Sequence, residues 1–459
     1  MKQKLSFGKI LTLGFALFAM FFGAGNLILP PALGTVCGEN WFSGFLMYIL
    51  IDAGLSVIAL LAFVKVQGGF SSSIAKQLTP KTAFVLTFVN TLFLGPLIAI
   101  PRTAATTFDI ALRPFLGATA PWATWVFGAV YFGLVALLCL RPGKVVDIIG
   151  KILSPLMFVA LMVLIVVGIL FPMDEIVPQA AKCESISFGL KSGYQTMDML
   201  GAVLLGVIAL LSVKESGFTD TKSQMKMVGF GGVIAGLGLF TVYGGLSYLG
   251  ATASGNPEMV ALAGSDRPGL LIRMTERLVG PYGSLLLGLI VAAACLTTAI
   301  GLVSACSQNL CEITDGKLPY KPTMFAMIGI SYLLSNLGTE MILTIAAPVL
   351  NVIFPIYIVL VFLSFLPERI REKTYAAPMG TGLALIVSVL TELDQLFPQL
   401  VLNTEALPLA EFGLGWLLPA FGAALIGGLI GAVIPRKKQG SNEDHLSSGS
   451  DMRFPVSDG

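Results

Sequence analysis

Hydrophobic residues fall along this chain in stretches of about 20, separated by short segments that carry most of its charge. Read as helices, stretches of that length cross roughly 30 Å of hydrocarbon, so each predicts a membrane span. Twelve are readable, at residues 8–35, 41–65, 82–110, 121–140, 149–171, 192–213, 227–250, 281–308, 323–338, 341–366, 377–396 and 412–434. The first is interrupted. The run Phe22-Gly23-Ala24-Gly25-Asn26-Leu27-Ile28-Leu29-Pro30-Pro31 places two glycines, an amide and a proline pair where a spanning helix should be regular. Bare N–H and C=O groups in hydrocarbon cost several kcal/mol each, so a helix written to stop at that depth needs a reason. Secondary transporters supply one, because a broken helix offers its freed amides and carbonyls to a substrate and its coupling ion.

A second polar interruption lies in span six, at Lys191-Ser192-Gly193-Tyr194-Gln195-Thr196-Met197-Asp198-Met199-Leu200-Gly201. The spans divide as five, five and two, and the interruptions open the two five-span blocks. Paired discontinuities at corresponding positions of two halves point to an inverted repeat with its binding site between them. The expected organisation is a first repeat over 8–171, a second over 192–366, two peripheral helices over 377–434 and a disordered tail over 436–459. Glycine clusters alone would be explained by close helix packing. The Asn26 amide, the Pro30-Pro31 pair and the matching stretch in span six favour true breaks. The connection between spans seven and eight, about Ala251 to Gly280, is long enough to hold a helix over Pro268–Val279, either as a lid on the outer vestibule or as a solvated loop.

Composition agrees with this reading. With 55% hydrophobic and 12% charged residues, the chain has about half the charge of a soluble domain and is a polytopic all-helical membrane protein. Its net charge of +2 gives no footprint for nucleic acid. Lys and Arg concentrate in alternate loops (Lys2, Lys4 and Lys9; Lys65, Lys76 and Lys81; Arg141, Lys144 and Lys151; Lys214, Lys222 and Lys226; Lys317 and Lys321; Arg369, Arg371 and Lys373; Arg436, Lys437 and Lys438). The positive-inside rule then puts both termini in the cytoplasm. No cleavable leader is evident before the first span. The six cysteines show no metal-ligand spacing, and His445, the one histidine, lies in the polar tail. Histidine catalysis at membrane depth is thereby excluded, and an embedded enzyme would lack a nucleophile–base pair.

Holding an amino-acid zwitterion in a bilayer requires donors for its carboxylate and acceptors for its ammonium without stranding a charge. The amides of Ala24, Gly25 and Asn26 would open the second half of span one, where the dipole favours a carboxylate. Carbonyls at Ala19–Phe22 and around Tyr194, Gln195, Thr196 and Met197 would face the ammonium. Asp52, Arg102, Asp109 and Asp198 lie within spans and are functional candidates because burying them is costly. Asp198 stands in the break itself, whereas Asp52, Arg102 and Asp109 could equally line vestibules or pair with one another. In span eight, Ala294-Cys295-Leu296-Thr297-Thr298-Ala299 offers two hydroxyls, which either bind a cation or bond back to their own helix.

The stretch from Gly14 to Ile28 with Pro30-Pro31 and Gly38-Glu39-Asn40, together with Asn351-Val352-Ile353-Phe354-Pro355, resembles the bacterial branched-chain amino acid:cation symporter family of the BrnQ type. That family is related to the amino acid–polyamine–organocation superfamily, so the resemblance implies the LeuT-type fold of five-plus-five inverted repeats and two peripheral helices. On this match Ala24 and Gly25 amides hold the carboxylate. The Ala19, Phe22 and Ala294 carbonyls with the Thr297 and Thr298 hydroxyls form a sodium site. The implied function is sodium-coupled uptake of leucine, isoleucine and valine across the bacterial cell membrane by alternating access, with sodium transported and no cofactor. Proton coupling in the same fold is the alternative, and Lys151 in span five is the one basic residue that could replace the ion.

Overall fold

The structure, a computed structural model, describes residues 7–66, 70–116, 121–140, 154–215, 217–218, 220–397, 403–434 and 436. The readings of Lys151 and of the tail beyond Arg436 lie outside them. Twelve spans are present among the described residues. Span one is two helices, Phe7–Phe21 and Ala24–Cys37, and span six is also two, Lys182–Thr196 and Asp198–Glu215. The others are Trp41–Val66, Pro80–Ala111, Pro121–Cys139, Ser154–Leu170, Thr221–Thr252, Pro281–Ile313, Tyr320–Ser335, Thr339–Leu363, Ala376–Leu396 and Leu417–Val433.

Both breaks are tighter than the sequence suggests. In span one only Phe22 and Gly23 leave the helix, and the helix continues through Pro30 and Pro31 to Cys37. The proline pair is therefore not part of the break; each lacks an N–H, which frees the carbonyls of Asn26 and Leu27 from their usual helical donors. In span six Met197 alone departs, while Gly193 and Gly201 stay helical. Span six also begins ten residues before the expected start at 192. Its polar first turn is held by the Glu184 carboxylate accepting the Ala181 amide at 3.0 Å, so Lys182 and Lys191 belong to a helix and not to a loop.

Spans one and seven pack along their whole length, as do spans two and six, and glycine lets both pairs approach. Gly14 and Gly231 open the first crossing at one membrane face and Gly34 and Gly250 at the other. Between spans two and six, Gly44 and Gly189 meet backbone to backbone, and Gly206 accepts the Phe63 ring. Spans one with seven and two with six are the two pairings that an inverted repeat would exchange. Spans eleven and twelve lie outside this core; Leu425, Leu429 and Val433 of span twelve are exposed along one face, the pattern of a lipid-facing helix.

Two helices, Pro257–Ser265 and Arg267–Val279, occupy the long connection after span seven. Each begins with an acceptor side chain and a proline in the first turn: Asn256 accepts the Glu258 amide at 2.9 Å, and Asp266 the Gly269 amide at 3.1 Å. The second buries Leu270, Leu271, Ile272 and Met274, so the segment is a packed cover and not a solvated loop. Its far end is pinned by Arg277, which donates to both Asp174 carboxylate oxygens at 2.7 and 2.9 Å.

Candidate functional site

At the first break Gly23 is extended (φ −117°, ψ −177°), and the new helix starts at Ala24. The Asn26 amide donates to the Gly23 carbonyl at 3.2 Å. Two consequences follow. The Ala24 and Gly25 amides are the first-turn donors without a helical acceptor, whereas the Asn26 amide is already engaged. The Phe22 carbonyl, whose helical donor would have been that Asn26 amide, is released. The Asn26 side chain, 1% exposed, ties the break to two other spans. Its Nδ2 lies 2.7 Å from the Phe21 carbonyl, 2.7 Å from Asp198 Oδ2 and 2.6 Å from the Tyr243 hydroxyl.

At the second break Met197 takes a left-handed conformation (φ 67°, ψ 13°). This costs a non-glycine residue roughly 1–2 kcal/mol and turns the helix without lengthening it. The carbonyls expected to face an ammonium are occupied. Tyr194 O accepts the Met197 amide at 3.2 Å, while Gln195 O and Thr196 O accept the Arg102 guanidinium at 2.5 and 3.3 Å. Arg102 is 4% exposed and reaches the first break as well: a Cβ built on Gly25 would lie 3.1 Å from its Cζ. A side chain there would press on the guanidinium. One buried cation thus spans both interruptions.

A small, partly enclosed cavity lies at this junction. Gly23, Asn26, Arg102, Thr196 and Asp198 line it, with Phe21, Leu94, Ala99 and Leu302 as its apolar wall. The cover is tied across the core at several points. Arg267 of the cover donates its amide to Glu340 at 2.9 Å and its guanidinium to Gln195 Oε1 at 3.4 Å; Arg113 pairs with Asp266 and, at 3.2 Å, with Asp109. Asp109 therefore belongs to this outer cluster, apart from Asp52 and Arg102.

The structure brings Asn26, Thr196 and Asp198 together at the cavity, while Ala24 and Gly25 follow the lining residue Gly23 in the chain and do not line it themselves. Gln195 contributes its carbonyl through Arg102 and its side chain to the outer tie. Tyr194 points elsewhere: it stacks on Phe354 of span ten at 4.5 Å and does not line the cavity. On span eight the Thr297 and Thr298 hydroxyls both donate to the Ala294 carbonyl of their own helix, at 2.7 and 3.0 Å, which is the back-bonded alternative of the sequence reading and also places the three oxygens together. Thr298 lines the cavity, and its methyl lies 3.9 Å from a Cβ built on Gly23, which sets this cluster beside the first break and the freed Phe22 carbonyl. The Ala19 carbonyl lies in the last turn of the preceding helix.

Sequence reasoning missed two distortions that aim side chains at the site. Span three is irregular over Phe93–Leu97, where Gly95 (φ −85°, ψ −120°) and Pro96 precede Arg102 by under two turns. Span two widens into a π-turn at Leu50–Gly54, and Asp52 sits on it. Such turns concentrate at functional sites. Pro96 was a visible signal; Gly54 alone was too weak a signal for the second.

A family model described as "Branched-chain amino acid transport protein" matches residues 6–438. The chain belongs to that family. It is 34% identical over 446 residues to the branched-chain amino acid permease BraB of Bacillus subtilis, covering 96% of this chain and 99% of that protein. It is also 34% identical over 434 residues to the permease BrnQ of the same organism, covering 93% and 98%. Among solved structures it is similar to Mhp1, a nucleobase-cation-symport-1 family transporter, with a TM-score of 0.60 at 14% identity over 95% of this chain and 96% of that one. A Na+-coupled sialic acid symporter matches with a TM-score of 0.57 at 14% identity over 92% and 90%. These likenesses establish the LeuT-type fold. The protein is a multi-pass membrane carrier for branched-chain amino acids and not an enzyme.

Proposed function

We propose that this chain is a sodium-coupled importer of leucine, isoleucine and valine in the bacterial plasma membrane, with both termini cytoplasmic. The observation that carries this reading is the meeting of two broken helices, a buried guanidinium and a cluster of span-eight oxygens at one cavity. The substrate carboxylate is received by the Ala24 and Gly25 amides with Arg102 beside them, and the ammonium by Asp198. The aliphatic side chain rests against Phe21, Leu94, Ala99 and Leu302. One methylene in such a pocket changes affinity by only about 1–3 kcal/mol, so the three substrates overlap. Sodium is cargo, held by the Ala19, Phe22 and Ala294 carbonyls and the Thr297 and Thr298 hydroxyls, the oxygen chemistry a small hard cation prefers. The potential adds about 2.3 kcal/mol per charge per 100 mV to its inward drive.

The deciding experiment is uptake of labelled leucine into proteoliposomes with sodium and pH gradients imposed separately. Entry driven by sodium is expected, and entry driven by pH alone overturns the sodium assignment. Thr297→Ala and Thr298→Ala each remove one oxygen worth about 1–3 kcal/mol. The sodium concentration for half-maximal uptake is therefore expected to rise about tenfold or more in each, and unchanged sodium dependence in both removes this ion site.

A further inference from the structure

Asp52 is 0% exposed, stands on the π-turn of span two, and neither of its carboxylate oxygens has a hydrogen-bond donor. Its carboxylate lies against the Thr196 hydroxyl and the Asp198 carboxylate. The Thr196 hydroxyl is already spent on the Gly193 carbonyl at 2.7 Å. Asp198 Oδ2 takes the Asn26 amide, so no side-chain donor stands between the two acids. Two ionised carboxylates cannot remain in contact at membrane depth: each is an acceptor only, and their repulsion is strongest where water is excluded.

The charged and titratable groups facing the pair are few. They are Tyr48 of span two, one helical turn from Asp52, Tyr243 of span seven, and Arg102 of span three, with Cys295 of span eight beside Arg102. The Tyr48 hydroxyl is also buried without a partner. Arg102 supplies one positive charge against two acids, which leaves one negative charge uncompensated if both are ionised. A single bound cation restores neutrality, and a proton is the one that needs no coordination shell of its own between two neighbouring carboxyls.

We propose that Asp52 and Asp198 together bind one proton, shared between their carboxyls, at a site separate from the span-eight oxygens. The protonated pair keeps one negative charge, which Arg102 matches, so an arriving zwitterion meets a neutral junction with a cation and an anion already in place. Loss of that proton would set two like charges against each other across the contact between spans two and six. This inference rests on the packing of the acids and is independent of which ion drives transport.

Infrared spectroscopy of the full-length protein in lipid vesicles, in potassium buffer without leucine, tests it. A protonated-carboxyl carbonyl band is expected at neutral pH, shifting in heavy water, fading on alkaline titration, and missing from both Asp52→Asn and Asp198→Asn. The wild-type titration needs no variant, so misfolding of one substitution does not blunt the test. No such band in the wild type, or a band that survives in both variants, overturns the proposal. Carboxylate bands that instead move on adding sodium at constant pH would give the site to a metal ion and overturn it equally.

Discussion

Arg102→Gln is expected to lower leucine uptake by at least about 100-fold, the equivalent of about 2.8 kcal/mol at 1.4 kcal/mol per tenfold. The guanidinium bridges the Gln195 and Thr196 carbonyls and lies against Gly25, so it closes the gap between the two helix breaks. Glutamine cannot reach both carbonyls, and each buried acceptor left without a donor costs about 1–3 kcal/mol. Removing the positive charge also strands the neighbouring acids, and breaking a buried charge pairing typically costs about 3–5 kcal/mol. Arg102→Lys separates these effects. It keeps the charge but replaces a planar fork with a point donor, which serves one carbonyl at a time. Lysine is expected to restore the amount of folded protein while leaving most of the transport defect. Labelled-leucine uptake, normalised to monodisperse protein in the membrane, reads both variants; uptake within twofold of wild type in Arg102→Gln would refute this role.

The parts of the molecule legible in the sequence are those set by composition over a whole turn or more. Apolar length gives the twelve spans, and Gly23-Ala24-Gly25-Asn26 marks a break because amide and glycines are costly in lipid unless used. The second break is located correctly but drawn too wide, since Gly193 and Gly201 look like helix breakers. For Gly193 the neighbouring span explains why it is not one. A Cβ on Gly193 would lie 2.8 Å from Ile51, so that glycine serves helix crossing, while the turn itself is carried by the less obvious Met197. Pro30 and Pro31 mislead in the same way, because a helix packed against span seven tolerates two missing amides. Arg102 and Asp52 were recognisable as expensive residues, yet their partners lie 94 and 146 positions away along the chain, and no local pattern encodes such a meeting. The covergence of Thr297 and Thr298 on one carbonyl likewise depends on rotamers that spacing leaves open.

Gly34→Val and Gly250→Val are each expected to remove nearly all folded carrier, with a fall of more than about tenfold in monodisperse protein after extraction. A Cβ on Gly34 would stand 1.8 Å from the Ser247 carbonyl oxygen, and one on Gly250 would stand 2.0 Å from the Pro31 carbonyl oxygen. Both obstacles are backbone, so no rotamer change relieves them. The two helices must separate, which also breaks the Thr35 hydroxyl bond to the Gly250 carbonyl at 3.0 Å. Overpacking alone costs about 1–3 kcal/mol where side chains can yield, and more is expected where they cannot. Against a total stability of about 5–15 kcal/mol that is enough to empty the native state of a marginal protein. Gly236 provides the control on the same span: nothing lies within 4 Å of its Cβ position, and alanine there removes a helix-interior glycine that costs about 0.5–1 kcal/mol. Gly236→Ala should therefore purify at least as well as wild type. If the two valine variants match it, spans one and seven do not cross at this distance, and the placement of the first break beside Tyr243 fails with them.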